Sequence, residues 1–461
     1  MQQFHFIARY GYSICTLILA LQVLIPRICL IGYDSIEGTV ILAGYCLSLG
    51  ILGLIPHRLQ GGIRGLLASA LFIAWIPVLW LSLTTHHHAF FPFPILFLVL
   101  AFGGLLTAVS LKLSSSGPML AVFTVVILII VIDRVVPAEQ PSVILDKRPE
   151  IFAIPDSIRG YRPAPDTEVK ITCWKDDRIV YHIRYHFDGY SRRVVPGTPL
   201  PGTPRTTHVI FMGGSCTFGE NINDFETLPA MFATRSPECD VYNYAFIGYG
   251  PQQMLALLES GLLRKQIPTS SGVLLYGVIP DHVRRASGSY TALSWGRDFP
   301  RYVRSKGKLK RVGSFAESER RLTTFYDYLR LSPSLDYLAK YLDATFSFRP
   351  SRWSYFLDIV EESRRLYREQ FEGELMVFFW PLTPRSYATL RDSVRSRGVP
   401  VLDLSGNIVQ LDDDSLFVPY DVHPSGRYNN VMAGALTRAL LDVNSIPGVL
   451  VDVNDREDNM P

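Results

Sequence analysis

The chain has 461 residues, of which 48% are hydrophobic and 19% are charged, and its mean hydropathy is +0.17. This length exceeds one ordinary domain, and the composition is too apolar for a wholly soluble protein. With 45 Lys and Arg against 42 Asp and Glu, the formal net charge is only +3. Such a balance gives no support for a nucleic-acid partner.

Apolar stretches dominate the first third of the chain. They run near 10–31, 38–56, 63–83, 89–111 and 118–136, nearly free of charge. Each is close to the roughly 20 residues that a membrane-spanning helix needs. We therefore predict an α-helical transmembrane bundle of about five helices over residues 1–136, with the lipid bilayer as partner. A cleaved signal peptide does not fit, because it would show one short apolar run followed by polar sequence.

Basic loop residues predict the orientation of these spans. The Lys and Arg residues on one side of the membrane are Arg9, Arg58, Arg64 and Lys112. The alternate loops, 32–37 and 84–88, carry one Glu and one Asp but no Lys or Arg, and positively charged loops stay in the cytoplasm. We therefore expect a multi-pass inner-membrane protein with a periplasmic or extracellular C-terminal domain. If Pro26 ends the first helix early, the count becomes four and the topology inverts.

Residues 137–205 form a transition to the rest of the chain. The segment 171–193 alternates like two strands joined by a turn at 175–178, which predicts a juxtamembrane β-hairpin. His182 and His186 would share one face of a strand, but no third ligand is near, so no metal site is predicted. The Pro- and Gly-rich stretch 196–204 is typical of a linker.

From residue 206 to about 445, predicted strands and helices alternate, as a parallel sheet with crossover helices requires. The predicted strands are 208–212, 240–246, 272–278, 374–380 and 399–404, and the predicted helices are 225–234, 251–263, 385–395 and 432–441. An insertion at about 283–351 carries a basic run and a mostly helical stretch, 318–342. The basic run is either a solvated face or a lid that meets anionic headgroups or an acidic polysaccharide. A tail covers 446–461, with an acidic run at 452–458.

The stretch around Ser215 is the first candidate for chemistry. An apolar run, 208–212, meets two glycines and then Ser215, which predicts a buried strand that stops at a tight turn with a hydroxyl at its apex. A helix starting there would aim backbone N–H groups at a developing oxyanion. The spacing is not the Gly-x-Ser-x-Gly elbow, because Thr217 stands two residues after the serine. A plain turn is the alternative interpretation.

Asp421 and His423 form the second candidate, just before the apolar-periodic segment near the C-terminus. A histidine can serve as a general base while a carboxylate two residues earlier fixes its tautomer and supports the imidazolium. Ser215, His423 and Asp421 are therefore the predicted catalytic residues.

These blocks resemble those of the SGNH (GDSL-like) hydrolase family. The sequence Gly-Gly-Ser ending at Ser215 is similar to the family's Gly-Asp-Ser block, with Ser215 as the implied nucleophile and Gly214 in place of the Asp. The neighbouring thiol of Cys216 can also attack an ester, but the family role belongs to the serine. The run 243–248 resembles the second block, which implies that the N–H of Gly248 joins that of Ser215 in an oxyanion hole.

The last block is similar to Asp421 and His423, but the third block departs from the family pattern. That block normally offers Gly-x-Asn-Asp, with the Asn amide as an oxyanion donor, whereas Pro280 stands about where the Asn is expected. Either His282 takes over as the donor, or the oxyanion hole is weaker and the reaction differs from simple hydrolysis.

The resemblance covers roughly residues 205–445. It implies an α/β fold of the SGNH/flavodoxin-like type, in which a parallel sheet and its flanking helices form three layers. Together with the predicted spans, it implies a membrane-anchored serine esterase or O-acyl transferase that acts outside the cytoplasm on an acyl ester, with glycan and lipid esters as candidates. No metal or other cofactor is expected. The altered third block leaves a second hypothesis open, namely a non-catalytic glycan- or lipid-binding module of an envelope assembly.

Overall fold

The computed structural model describes residues 143–197, 205–346, 350–381, 386–402, 404 and 414–442. The chain divides into two units at residue 137, and every described residue lies in the second unit. The predicted transmembrane bundle over 1–136 and the tail at 446–461 therefore lie outside the described residues. Within the described part, no helix combines the length and apolarity needed to cross a bilayer.

Antiparallel strands open the second unit. They are β1 (Ile144–Arg148), β2 (Ala153–Asp156), β3 (Gly160–Pro163), β4 (Glu168–Lys175) and β5 (Arg178–His186). Strands β1, β4 and β5 form one sheet with β4 in its centre, and β2 pairs with β3. The turn between β4 and β5 uses Asp176 and Asp177, both with positive φ, and it lies within the turn that the sequence predicts.

The α/β part follows, with an inserted segment in its middle. Its first elements are β6 (Thr207–Gly213), α1 (Ser215–Phe218), α2 (Leu228–Ala233), β7 (Cys239–Asn243), α3 (Pro251–Glu259), α4 (Leu262–Gln266), β8 (Ser271–Val278) and α5 (Asp281–Ser287). The insertion holds β9 (Pro300–Ser305), β10 (Lys308–Ser314), α6 (Phe315–Ser318), α7 (Arg320–Arg330) and α8 (Pro333–Phe346). The last elements are α9 (Pro350–Gln370), β11 (Glu372–Phe379), α10 (Ser386–Ser396), β12 (Val401–Leu402) and α11 (Gly426–Asp442).

The central sheet has the strand order β12-β11-β8-β6-β7, and all its pairings are parallel. The first strand of the α/β part is thus flanked by the second and the third, which is the flavodoxin-like order. This confirms the predicted parallel sheet. Ligands of such sheets bind beyond the carboxyl ends of the strands, where the order reverses, which here is between β6 and β8.

Two apolar cores cover the two faces of this sheet. Met212 and Tyr276 face one core with helices α3 and α9, whereas Phe211 and Phe378 face the other with α2 and α11. Because both faces are covered, the strands are continuous apolar runs, and β6 is buried along its whole length. Helix, sheet and helix therefore form three layers, as expected.

The insertion differs in detail from what the sequence indicates. Its basic run forms the antiparallel hairpin β9–β10, in which Arg301 pairs with Glu319 and Arg304 with Asp358. The predicted helical stretch is two helices, α7 and α8. Helix α9, which the sequence analysis does not predict, lies against the sheet with Phe356 in its core.

Candidate active site

Ser215 lies at the carboxyl end of β6, as the first residue of α1. Gly213 ends the strand with φ 152°, and a Cβ there would lie 2.6 Å from Thr217 Oγ1 and 2.9 Å from the carbonyl oxygen of Gly277. Only glycine fits this turn without displacing its neighbours. The turn leaves Ser215 at the wall of an open pocket, with 6% of its surface exposed.

Gly248 lines the same pocket from the loop after β7. The Tyr161 hydroxyl donates to the carbonyl of Ile247 over 2.7 Å and so fixes this loop. Within the described part, neither the N–H of Gly248 nor that of Ser215 donates to another backbone group. An oxyanion hole requires free N–H groups in the same pocket as the nucleophile, and these two groups are candidates for that role.

Asp421 and His423 form a hydrogen-bonded pair in this pocket. His423 Nδ1 lies 2.8 Å from Asp421 Oδ1, which also accepts the N–H of Val422 over 2.6 Å. The other carboxylate oxygen accepts from Asn221 Nδ2 over 2.5 Å. The bond to Asp421 assigns the Nδ1–H tautomer to neutral His423, which leaves Nε2 as the basic atom.

The interactions of Asp421 and His423 favour the carboxylate of the one and the imidazolium of the other. Burial acts to raise the pKa of Asp421, but the bonds from His423 and Asn221 outweigh it and hold that pKa below its usual value. Burial acts to lower the pKa of His423, but the bond to Asp421 and the charge of Glu220 raise it above its usual value. His423 is therefore a stronger base than a free histidine.

Ser215 and His423 line one pocket, but no hydrogen bond between them is present in the structure. Nε2 of His423 instead faces Glu220, whose Oε2 lies 3.3 Å away. The sequence analysis does not single out Glu220. Gly219 ends α1 in the left-handed conformation, with φ 86°, and turns the chain so that the next residue faces the pocket. Gly219 is a signal in the sequence for the turn. The contact between Glu220 and His423 has no such signal, because some two hundred residues of sequence separate them.

The structure places His282, the expected oxyanion donor, close to Gly214. It is fully buried, its Nδ1 lies 2.9 Å from the Tyr276 hydroxyl, and it does not line the pocket. Burial lowers its pKa well below the usual value. Among the described residues its Nε2 has no hydrogen-bond partner, and this atom lies near Gly214, the residue before Ser215. Donation by His282 to the oxyanion therefore stays a prediction.

The space beside Gly214 is too small for a side chain unless its neighbours move. A Cβ on Gly214 would lie 2.7 Å from Arg285 Nη1 and 2.9 Å from His282 Nε2. Arg285 itself lines the pocket and donates from Nη1 to the carbonyl of Tyr249 over 2.6 Å. Pro280 also lines the pocket and offers no donor. A buried guanidinium thus lies next to Gly214, the residue before Ser215.

The remaining lining sets the character of the pocket. Its rim includes the exposed apolar residues Trp295, Phe417 and Val422. Cys216 lies beside the serine, and burial raises the pKa of its thiol to about 12, so the reactive thiolate is scarce near neutral pH. Among the described residues, no group of His, Cys, Asp and Glu is arranged to hold a metal ion.

Comparison with known proteins gives only distant similarities. No protein-family model and no curated protein matches the chain. A member of the lipolytic protein G-D-S-L family from Veillonella parvula DSM 2008 is 12% identical, with 51% of this chain and 97% of that chain covered and a TM-score of 0.30. An alpha/beta hydrolase from the metagenome of Lake Arreo, Spain, is 11% identical, with 52% and 98% covered and a TM-score of 0.32.

An acetylxylan esterase from Geobacillus stearothermophilus, solved as a catalytic mutant, is 10% identical, with 51% of this chain and 94% of that chain covered and a TM-score of 0.28. Identities and TM-scores of this size carry no argument about activity. The functional proposal for this chain therefore depends on the geometry of its own pocket.

Proposed function

We propose that this chain is a serine ester hydrolase or O-acyl transferase. One observation carries the proposal: a single pocket at the carboxyl ends of the parallel strands holds the Ser215 hydroxyl, the free N–H groups of Ser215 and Gly248, and the Asp421–His423 pair. A nucleophile, an oxyanion hole and an oriented general base are the components of acyl transfer through serine.

In the proposed reaction, Ser215 Oγ attacks the carbonyl carbon of the ester while His423 Nε2 takes its proton. The oxyanion that forms accepts hydrogen bonds from the N–H groups of Ser215 and Gly248. As the bond to the leaving alcohol breaks, His423 returns the proton to that oxygen. Water or an acceptor hydroxyl then attacks the acyl-enzyme, with His423 again as the base. Hydrolysis and transfer differ only in this acceptor, for which glycan and lipid hydroxyls are candidates.

The first step requires a movement of His423. Its Nε2 must leave Glu220 and approach Ser215 Oγ, because those two groups are not hydrogen-bonded in the structure. Catalytic hydrogen bonds of this kind are often long without substrate and tighten in the complex.

The direct test is Ser215→Ala in the full-length chain, assayed with a short-chain aryl ester. We expect the rate to fall by about 10³-fold or more, because loss of the nucleophile leaves only oxyanion stabilisation and binding. Ser396→Ala, at the exposed last position of α10, is the matched control and should leave the rate unchanged. An equal rate for Ser215→Ala and the unsubstituted chain would refute the proposal.

The alternative is a non-catalytic module that binds glycan or lipid. Two observations favour it: Pro280 supplies no amide donor, and Ser215 is not bonded to His423. A fluorophosphonate probe separates the two functions, because it reacts only with an activated serine. Labelling at Ser215, mapped by mass spectrometry, supports the enzyme, whereas an unlabelled folded chain supports the binding module.

We also propose that residues 1–136 anchor the protein in the inner membrane and that the pocket acts outside the cytoplasm. The support is the series of apolar stretches and the distribution of their flanking charges. Alkaline phosphatase fused after residue 461 should be active in the periplasm, and the same reporter fused after residue 60 should be inactive. The reverse pattern would indicate a cytoplasmic pocket.

A further inference from the structure

Glu220 is a carboxylate of the pocket that the proposed reaction does not use. Its side chain is only 16% exposed, and that of His423 is 17% exposed, so their contact at 3.3 Å is largely shielded from water. With Asp421 on Nδ1 and Glu220 at Nε2, both ring nitrogens of His423 face carboxylate oxygens.

Hydrogen bonds hold the segment that carries Glu220 in place beside the Asp421–His423 pair. The N–H groups of Gly219 and Glu220 both donate to the carbonyl of Ser215, over 2.9 Å and 3.1 Å. The next residue, Asn221, donates from its backbone to the Tyr185 hydroxyl and from its side chain to Asp421. Glu220 and its neighbour Asn221 therefore contact His423 and Asp421, respectively. These contacts hold Glu220 in its orientation towards His423.

The charges around the contact come from several elements. Asp421 faces His423 from its own loop, Arg285 acts on both groups from α5, and Lys147 acts on Glu220 from β1. Burial raises the pKa of Glu220, while the charges of His423 and Lys147 oppose this rise. Glu220 is thus a carboxylate that can hold a proton more readily than an exposed one.

We propose that Glu220 is a positioning residue for the general base: it accepts the Nε2–H of the His423 imidazolium in the resting state, and His423 acts on Ser215 only after this contact opens. This inference rests on the proposed function. When the contact opens, the Nε2–H bond breaks and its proton passes to Glu220 Oε2 or to water. The lone pair of Nε2 is then free to turn towards the Ser215 hydroxyl.

A consequence is that Glu220 sets the lower pH limit of activity. Removing an anion beside an imidazolium lowers the pKa of the histidine, so the neutral base persists to lower pH. For Glu220→Gln, we expect the acid limb of the kcat/KM profile to move down by about one pH unit. On that limb, activity relative to the plateau should rise by about tenfold.

The matched control is Glu259→Gln. Glu259 is also a carboxylate with a raised pKa, but it accepts a hydrogen bond from the Tyr302 hydroxyl and does not line the pocket. Its substitution should leave the acid limb in place. An acid limb that stays fixed or moves upward in Glu220→Gln, in a chain whose turnover still requires Ser215, would overturn the inference. Loss of the requirement for Ser215 would instead overturn the proposed function.

If Glu220→Gln does not fold, the ring nitrogens of His423 can be titrated by ¹⁵N NMR in the Ser215→Ala chain. The resonances are assigned by their loss on adding His423→Asn. We expect titration above the usual histidine value of about 6.5, with the Nε2 proton retained longest. Titration at or below that value would contradict a resting imidazolium held by Glu220.

Discussion

Gly248 combines a left-handed backbone with close neighbours on the side where a side chain would point. Its φ is 78°, and a Cβ there would collide with the Tyr161 hydroxyl and lie 3.1 Å from Trp295 Nε1. We predict that Gly248→Ala lowers kcat by about tenfold or more, because displacing this N–H weakens an oxyanion contact. The measurement is kcat and KM with an aryl ester, together with thermal unfolding.

Gly261 provides the control for this substitution. It has a similar φ of 66°, but a Cβ there would have open space around it. Gly261→Ala should therefore destabilise the fold by about 1 kcal/mol through backbone strain alone and leave kcat unchanged. Equal kcat values for the two variants would mean that the N–H of Gly248 does not contact the reacting oxygen.

The residues of the candidate site differ in how well their place in the site can be predicted from the sequence. Ser215 is marked by an apolar run and two glycines, and Asp421 and His423 are marked by their mutual spacing. These signals are local, so they can be found without the fold. Glu220 and Arg285 carry no such signal, because their position beside the site depends on how separate loops and helices pack.

Arg193 joins the antiparallel strands to the turn behind Ser215. Its guanidinium is fully buried, donates to Asp224 over 2.8 Å and to the carbonyls of Phe218 and Ile222, and stacks on the Tyr185 ring at 4.2 Å. We predict that Arg193→Met destabilises the protein by about 3–5 kcal/mol, because it removes the buried guanidinium that pairs with Asp224 and donates to the two carbonyls. Chemical denaturation measures this change.

The control is the same substitution at an exposed arginine. Arg178 lies at the start of β5 with its side chain in solvent, so Arg178→Met should change the free energy of unfolding by no more than about 0.5 kcal/mol. If Arg193→Met proved equally mild, the connection between β5 and the turn after α1 would contribute little to stability.

At the level of elements, the sequence predicts the buried strands well and the insertion poorly. Strands such as β6 and β8 are continuous apolar runs, so their limits are correct to within one or two residues, whereas β7 ends three residues before its predicted end. The predicted helix 251–263 is broken at Gly261, which adopts the left-handed conformation between α3 and α4. Helix α9 was missed because charged residues outnumber the apolar ones that it buries at a spacing of three or four.

Stability of the whole unit should depend on pH through its buried histidines. His208 is fully buried on β6, with Nδ1 at 2.9 Å from Thr269 Oγ1 and Nε2 at 2.8 Å from the Tyr367 hydroxyl. Burial lowers its pKa to about 4. Between about pH 6.5 and pH 4 the unfolded chain therefore binds a proton that the folded chain does not, and the free energy of unfolding falls as pH falls.

Substitution of His208 isolates its contribution to the pH dependence of the free energy of unfolding. A depression from 6.5 to about 4 corresponds to a loss of about 3 kcal/mol across that window. We predict that His208→Gln unfolds with a smaller dependence on pH between 6.5 and 4, although it is less stable at neutral pH. His182→Gln, at an exposed position of β5, should keep the full dependence. Parallel pH curves for the two variants would contradict a neutral buried His208.

The antiparallel strands before residue 206 pack against the α/β part and share a core with it. A single aromatic core joins Phe152, Tyr185 and Phe187 of this region to Phe218 and Phe246, which lie in the turns that carry the site. We predict that a chain of residues 138–461 folds cooperatively and keeps turnover that requires Ser215, because it retains all the described cores and the pocket. A chain of residues 206–461 should lose both, since the aromatic side chains behind the turns would then face water.

The two truncations differ only in the antiparallel strands and the linker, so together they isolate what those strands contribute. Far-UV circular dichroism and thermal unfolding report the fold, and fluorophosphonate labelling reports the pocket. If residues 206–461 fold and are labelled at Ser215 as strongly as 138–461, the aromatic core does not support the site. If 138–461 fails to fold while the full-length chain is stable, the second unit depends on the first. Both outcomes are measured against the Ser215→Ala version of each chain, which should fold like its parent and remain unlabelled.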